Sequence, residues 1–391
     1  MKSVFLILIL VFATALQGQR VSDQQLDRLL KRFPEADANG DGKLSMDEAL
    51  EYRKNLTSTD GKGMRRAGGT SFDVDPGWEK DDFPKHAVSL RSPEEIKALY
   101  KGSFPDLPKS DDGVLRIVGT GHSFMAPGYK TLPLICEADG FTQPLFTHTG
   151  GGMTGSARYK WEQENGIFQF DRKPTPKLLA AISNAGWDAM MWGPYFNDRP
   201  EYYSCWIDFC LKYQPDMKFY LSDAWIRLFP LGANPPKSEA ACTPEVLMKL
   251  EAEHYAGFKQ LVDTLNAKYP GKVFILPTSR AMTLAAVHQV KGELPGVEGL
   301  HRLISGKERS LWRDNLGHIG PGFDRLEGYV FYATLYKKSP ELIKGEIAFR
   351  DQKAAFPSDE LDRIFRKIAW QAVIGNPLSG VVDANGDGIG D

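Results

Sequence analysis

Two short stretches of this 391-residue chain carry residue types whose spacing could do chemistry together. The first is Gly119-Thr120-Gly121-His122-Ser123, running on from an apolar segment. Glycines let a backbone turn sharply and approach a substrate. A serine where a strand ends and a helix begins can stand exposed beside backbone N–H donors, as a hydroxyl nucleophile requires. The second is Asp314-Asn315-Leu316-Gly317-His318. A histidine deprotonates a serine hydroxyl when a carboxylate orients its other ring nitrogen. Two further segments offer donors for a developing oxyanion: Gly150-Gly151-Gly152 after Thr149, and Asn197-Asp198 in the run from Trp192 and Gly193. Each has a plainer reading. Ser123 could cap a helix, and Gly and Asn favour ordinary turns.

A different chemistry is written near the start. Asp37-Ala-Asn39-Gly-Asp41-Gly42-Lys43-Leu44-Ser45-Met-Asp-Glu48 fits a twelve-residue EF-hand loop at every required position. Asp37, Asn39 and Asp41 supply oxygens at positions 1, 3 and 5, and Gly42 makes the turn at 6. Lys43 offers its carbonyl at 7, Ser45 sits at 9 and Glu48 is the bidentate ligand at 12. The expected cofactor is a structural Ca2+, held weakly because the loop lacks a partner hand. The alternative is a decayed, Asp/Gly-rich turn. Asp383, Asn385, Asp387, Gly388 and Asp391 repeat positions 1, 3, 5, 6 and 9, but no residue follows at position 12. A solvated acidic tail is the expectation there.

Elements must position these residues. Residues 22–55 read as helix, loop, helix, with Leu26, Leu29, Leu30 and Phe33 on one face. Residues 56–91 collect Gly, Pro, Asp and Lys without a period and read as a linker or irregular arm. From Ser92-Pro93-Glu94-Glu95, a capping box with Pro at the first helical position, the pattern changes. Short apolar strands are expected at 115–118, 144–147, 189–192, 218–221 and 273–276. Helical stretches follow at 175–185, 199–213, 243–269, 322–336 and 358–375. Five short strands alternating with helices indicate an α/β class with a parallel sheet. Ligands in such sheets sit at the carboxyl ends of the strands.

Composition narrows the class. Hydrophobic residues are 42% and charged residues 25%, ordinary for a folded protein and excluding a mainly disordered chain. Basic and acidic residues number 48 and 50, so nothing steers the chain to nucleic acid or an anionic membrane. Residues 1–18 combine Lys2, an apolar run from Val4 to Ala15 and small residues before a cleavage point. That is the pattern of a secretory signal, too short to span a bilayer well. Its removal leaves 47 basic against 50 acidic residues. A secreted or periplasmic location follows, with no stable membrane insertion. Cys136, Cys205, Cys210 and Cys242 show neither C-x-x-C nor zinc spacing. They read as buried thiols or one or two structural bridges.

The order of these blocks over residues 110–380 resembles the SGNH (GDSL-like) hydrolase superfamily, in its secreted bacterial branches. That superfamily places a serine after the first strand, a glycine after the second, an asparagine after the third and an Asp-x-x-His near the end. The resemblance implies a flavodoxin-like three-layer α/β/α sandwich over 92–380, with a five-stranded parallel sheet. It implies Ser123 as nucleophile and His318 as base, with an oxyanion hole from the Ser123 N–H, a glycine near Gly152, and Asn197. Three departures stand out. The family's Gly-Asp-Ser is Gly121-His122-Ser123 here, and its Gly-x-Asn-Asp is stretched from Gly193 to Asn197. Its Asp-x-x-His becomes Asp314-x-x-x-His318, with Asn315 at the usual acid position. Gly317 could absorb the extra residue and return Asp314 to the imidazole.

A secreted serine esterase is therefore expected, acting through an acyl-enzyme on a small-molecule or carbohydrate ester. The rivals are a non-catalytic, calcium-stabilised binding or structural protein on the same fold, and a lipase-like or thioester-directed hydrolase. His122 reads either as pocket residue or as packing. His86, His148, His254, His288 and His301 read as structural. Trp192, Tyr195, Phe196, Tyr202, Tyr203, Trp206 and Trp225 suit a sugar platform or a core, and the helical spacing at 202, 203 and 206 favours core.

Overall fold

The computed structural model describes residues 26–27, 30, 34–45, 47–48, 92–99, 112–149, 159, 177–193, 200–226, 228, 236–349 and 356–391. The signal segment, the whole arm at 56–91, Gly152 and Asn197 lie outside the described residues. The chain divides into two compact units, 1–67 and 68–391.

Unit 68–391 is α/β. Helix α1 (Pro93–Leu99) opens with the capping box: Glu95 N donates to Ser92 Oγ at 3.2 Å, and Ser92 N to Glu95 Oε2 at 2.7 Å. The order is then β1 (Ile117–Gly121), α2 (Ala126–Ala138), β2 (Leu145–Thr149), α3 (Lys177–Asn184), β3 (Ala189–Trp192), α4 (Pro200–Tyr213) and β4 (Lys218–Ser222). It continues with α5 (Pro244–Lys268), β5 (Val273–Leu276), α6 (Thr278–Val290), β6 (Gly299–His301), α7 (Arg302–Ser305), β7 (Ser310–Trp312), α8 (Asp324–Tyr336) and α9 (Asp359–Ile374). All five strands from β1 to β5 pair in parallel, in the order β2-β1-β3-β4-β5. The chain reverses its direction of progress across the sheet at β1, so the carboxyl end of β1 is a switch point with a crevice beside it. Strands β6 and β7 form a separate parallel pair.

Alternation along the strands builds two cores. Ile117, Ala189, Met191, Tyr220 and Leu276 face one cluster, with α2, α6, α8 and α9. Val118, Met190, Trp192, Phe219, Leu221 and Ile275 face the other, with α3 and α4. Strands apolar on both faces are what a sheet covered on both sides requires. Tyr202, Tyr203 and Trp206 are fully buried in the second cluster, and Trp192 stacks on Phe219 with centroids 5.3 Å apart. Helix α8 is buried at every position from Leu326 to Leu335 and is the central helix of its layer.

Two expectations shift. The first strand begins and ends later than the apolar run suggests, because Gly119-Thr120-Gly121 joins the ladder instead of turning. The glycine at 119 serves close approach: a Cβ there would lie 2.4 Å from the Tyr129 hydroxyl, which bonds to the carbonyls of Thr120 and Met191, each at 3.1 Å. The C-terminal segment is tied down rather than free. Ile389 bridges to Lys338, Ser339 N donates to Gly388 O at 2.7 Å, and Trp370 Nε1 donates to Asp383 Oδ2 at 3.1 Å. The four cysteines are free thiols. Burial pushes Cys205 up to about 12 and Cys242 up to about 11, and raises Cys136 and Cys210 as well, so none is a ready nucleophile. Among the described residues no helix is long and apolar enough to cross a membrane.

Helix α2 reaches the sheet by packing closely on α8. A Cβ on Gly328 would stand 2.1 Å from Thr131 Oγ1 and 2.8 Å from Ile135 Cδ1. Gly328→Ala is therefore expected to lower stability by about 1–3 kcal/mol, the cost of overpacking a filled core. Urea unfolding at unchanged slope measures this, and an unaltered midpoint would show that α2 and α8 are not in close contact.

Candidate functional site

Ser123 follows β1 in a tight turn into α2. Met125 N and Ala126 N both donate to His122 O, at 2.9 and 3.3 Å. The turn needs glycines beside it: a Cβ on Gly121 or Gly193 would sit 2.6 or 2.7 Å from Met125 Cγ. His122 is buried and accepts from Phe124 N at Nδ1, 3.2 Å away, so its ring braces the turn. The Ser123 N–H makes no hydrogen bond among the described residues and is free to donate outward.

The second half of the site hangs from β7. Trp312 forms an antiparallel bridge with Ile319, Arg313 N donates to His318 O at 2.8 Å, and Gly320 N donates to Leu311 O at 2.7 Å. These bonds fold residues 313–318 into a loop closed at its base. Gly317 adopts φ +89°, a left-handed angle that costs other residues. The loop bulges there, and Asp314 turns back on the ring four residues later. His318 Nδ1 lies 2.8 Å from Asp314 Oδ2, and His318 Nε2 lies 2.6 Å from Ser123 Oγ. Asp314 Oδ1 also accepts from Leu316 N and His318 N, at 3.0 and 3.2 Å. Among the described residues Asn315 makes no bond to the ring.

Partial burial alone would raise the Asp314 carboxyl. The bonds from the His318 backbone and ring, the imidazolium charge and Leu316 N–H outweigh it and hold the group below its ordinary value. A depressed carboxyl contributes stability above its unfolded pKa, about 3.9, and loses that contribution only as pH falls through the lower folded value. Asp314 is thus an anion throughout the neutral range, as orienting an imidazole demands.

Several residues that the sequence did not single out hold this line. Phe124 stacks on the His318 ring with centroids 5.0 Å apart and packs on Trp225 at 4.5 Å. Trp225 is aimed by Ala224, whose φ of +55° is unusual for a residue with a side chain. A buried network holds Ala224 there. Asp223 accepts from Ser279 N, Ser279 Oγ and Thr278 Oγ1 at 2.9, 2.5 and 3.0 Å, and Thr278 Oγ1 also bonds to Ala224 O at 2.9 Å. His301 is buried. Its Nδ1 accepts from Leu303 N at 3.2 Å, and burial lowers its pKa against the opposing pull of the Asp314 backbone and charge. Glu327 is buried too, accepting Gly128 N at 2.9 Å and so tethering the first turn of α2. Burial raises its carboxyl well above the usual range. Of these, the sequence reading names only His122 and Trp225 as pocket or platform candidates and His301 as structural, and periodicity gives none of them this role.

Ser123 opens onto a cleft of about 1220 Å3. One wall is a helical stripe from α2: Ala126, Pro127, Lys130, Thr131 and Leu134. The other comes from residues flanking β7, the loop after it, the start of α8, and Phe349, Phe356 and Pro357.

In the other unit, the loop at 37–48 is bonded through its own oxygens. Asp37 accepts from Gly40 N and Gly42 N, each at 2.8 Å, and Asp41 accepts from Lys43 N at 2.8 Å. Glu48 Oε2 accepts from Ser45 Oγ and N at 2.7 and 3.0 Å, bonds that hold its carboxyl low. Leu44 is buried, as an inward position 8 requires. The loop at 383–389 repeats the pattern, with Gly386 N and Gly388 N donating to Asp383 at 2.9 and 3.1 Å. Among the described residues no group of three or more His, Cys, Asp or Glu side chains is gathered as a metal centre.

Gly317→Ala is expected to cost about 1 kcal/mol from its left-handed angle and to part Asp314 from the ring. The low-field Nδ1 proton of His318 in the NMR spectrum should weaken or vanish. A variant with unchanged signal and stability would show that the bulge does not depend on Gly317.

Comparison with known families, with curated proteins and with solved structures finds no match to this chain.

Proposed function

We propose that the protein is a secreted serine esterase of the SGNH type, with Ser123 as nucleophile, His318 as general base and acid, and Asp314 as the carboxylate that orients it. The observation that carries the reading is the unbroken line from Asp314 through His318 to Ser123, at 2.8 and 2.6 Å, ending on a cleft. The strand order β2-β1-β3-β4-β5, that of flavodoxin-like sheets, supports it by putting the nucleophile at the switch point. The blocks that resemble the superfamily support it independently, being read from sequence.

In this reading Ser123 Oγ attacks the ester carbonyl carbon while its proton passes to His318 Nε2. The oxyanion forms within reach of Ser123 N–H, and on the resemblance Gly152 and Asn197 complete the hole. The tetrahedral intermediate expels the alcohol, which takes the proton from Nε2, and leaves an acyl-Ser123. Water then gives a proton to Nε2 and attacks the acyl carbon. Collapse releases the carboxylic acid and returns the proton to Oγ. Asp314 stays ionised throughout and stabilises the imidazolium.

The loop at 37–48 is proposed as a Ca2+ site. Its donors, Asp37, Asn39, Asp41, the Lys43 carbonyl, Ser45 and Glu48, are all oxygens, the hard set calcium takes. Such an ion would hold the loop and takes no part in ester cleavage. An exported location is part of the same reading, from the signal-like residues 1–18.

Steady-state hydrolysis of 4-nitrophenyl acetate tests the esterase. Asp314→Asn should lower kcat by about 10²–10⁴, as when an imidazole loses its orienting carboxylate. His318→Ala should be at least as damaging, and the double variant little worse, because the members act as a unit. Asn315→Ala should have a small effect. Near-wild-type kcat in Asp314→Asn would remove Asp314 from the mechanism, and near-wild-type kcat in His318→Ala would remove the whole assignment. For the metal, calorimetry should show Ca2+ binding by the wild-type chain with a site lost in Glu48→Gln. Equal binding by both would mean the loop is not a calcium site.

A further inference from the structure

The cleft beside Ser123 is positive in a protein that is not. The chain carries a net charge of −2, yet Lys130, Arg309, Arg313 and Arg325 line this one cavity against Glu308 and Asp324. Both acids are already engaged. Glu308 pairs with Arg302 at 2.6 Å, and Asp324 Oδ1 accepts from Arg325 N at 3.2 Å. Of the cations, Arg325 is already paired with Asp362 at 3.3 Å, and the other three are less committed. Lys130 is exposed and makes no ion pair among the described residues. Arg313 reaches only its neighbour Asp314, at 3.4 Å through Nε. Arg309 meets Glu298 at 3.8 Å. Two guanidiniums are held over aromatic rings, Arg309 over Phe356 at 5.4 Å and Arg325 over Phe349 at 4.1 Å. A guanidinium fixed against a ring keeps its donor edge available at low entropic cost.

Size and position say which part of a substrate meets these charges. A volume near 1220 Å3 is far more than a small acyl group fills and suits an extended alcohol. Lys130 lies seven residues beyond Ser123 in sequence and four beyond Ala126, the first residue of α2, about 6 Å along the helix axis at 1.5 Å per residue. We propose that this cleft selects esters whose alcohol part is an anionic carbohydrate, with a carboxylate or sulfate group held by Lys130, Arg309 and Arg313 while the ester meets Ser123. The inference rests on the esterase reading of that serine. Clefts lined by one sign of charge concentrate and steer ligands of the other, so the selection is written in kcat/KM and fades as salt screens it.

The test compares O-acetylated oligosaccharides of equal length: neutral, uronate-bearing and sulfated. Wild-type protein should favour an anionic substrate over the neutral one by about tenfold in kcat/KM, equivalent to about 1.4 kcal/mol. The ranking of the two anionic arms tells which group the cleft takes. The preference should shrink severalfold in Lys130→Met and in Arg309→Gln, both at surface positions, and should shrink at high salt. Turnover of the neutral substrate with no anionic preference would overturn this proposal and leave the esterase reading standing. So would a preference untouched by both variants and by salt. A preference for an anionic acyl group, read with 4-nitrophenyl hemisuccinate against acetate, would overturn the assignment to the alcohol side. Absence of hydrolysis of any ester, 4-nitrophenyl acetate included, would overturn both.

Discussion

A contact of 2.6 Å joins Ser123 to His318 across 195 residues of chain, and much of the fold supplies conditions for it. The serine must leave the end of β1 pointing outward, which needs bare backbone at Gly121 and Gly193 for Met125 to fill. The histidine must come back from β7 on a loop that closes at its base, and a Cβ at Gly320 would collide with Ser310 O at 1.8 Å. Between Asp314 and His318 the loop bulges, and Gly317 takes the turn at φ +89°. Replacing any of these glycines with a side chain moves one end of the contact. A shift of about 1 Å at such a site costs roughly 10² in rate.

Buried polar groups carry the rest of the alignment. Each would cost stability if left without a partner, so their presence behind the cleft has a structural reason. Asp223, with three donors, holds the left-handed Ala224 and through it sets Trp225 against Phe124, whose other face lies on the His318 ring. Glu327 steadies the first turn of α2. An apolar residue at any of these positions could fill the space but would hold no particular direction. Directional bonds confine the Ser–His–Asp line to one geometry, as preorganised catalysis requires.

The architecture was legible where residues obey a simple period. The strands at 189–192 and 273–276 lie where the apolar runs put them, since strands covered on both faces are apolar throughout. The caps at Ser92 and Thr243 mark true helix starts, because their oxygens bond to free N–H groups in the first turn. Gly119 misled because a glycine needed for a neighbour's approach looks like one needed for a turn. Helix α2 carries Pro133 in its interior and α6 begins right behind Pro277, and both prolines hide the helical pattern. The Asp–His spacing was readable, and so was the glycine that could absorb it. The supports were not, for Asp223 and Glu327 act through contacts between distant segments that no local spacing encodes. The cleft's positive wall was hidden for the same reason, being assembled from α2, the flanks of β7 and the start of α8.

The central claim is that Ser123 is chemically activated by the histidine it touches. A fluorophosphonate probe reacts with an activated serine hydroxyl and leaves a structural one untouched. Mass spectrometry of probe-treated native protein should place a single adduct on the peptide containing Ser123, and His318→Ala should abolish it. An adduct on another residue, or none on folded wild-type protein, would contradict the account.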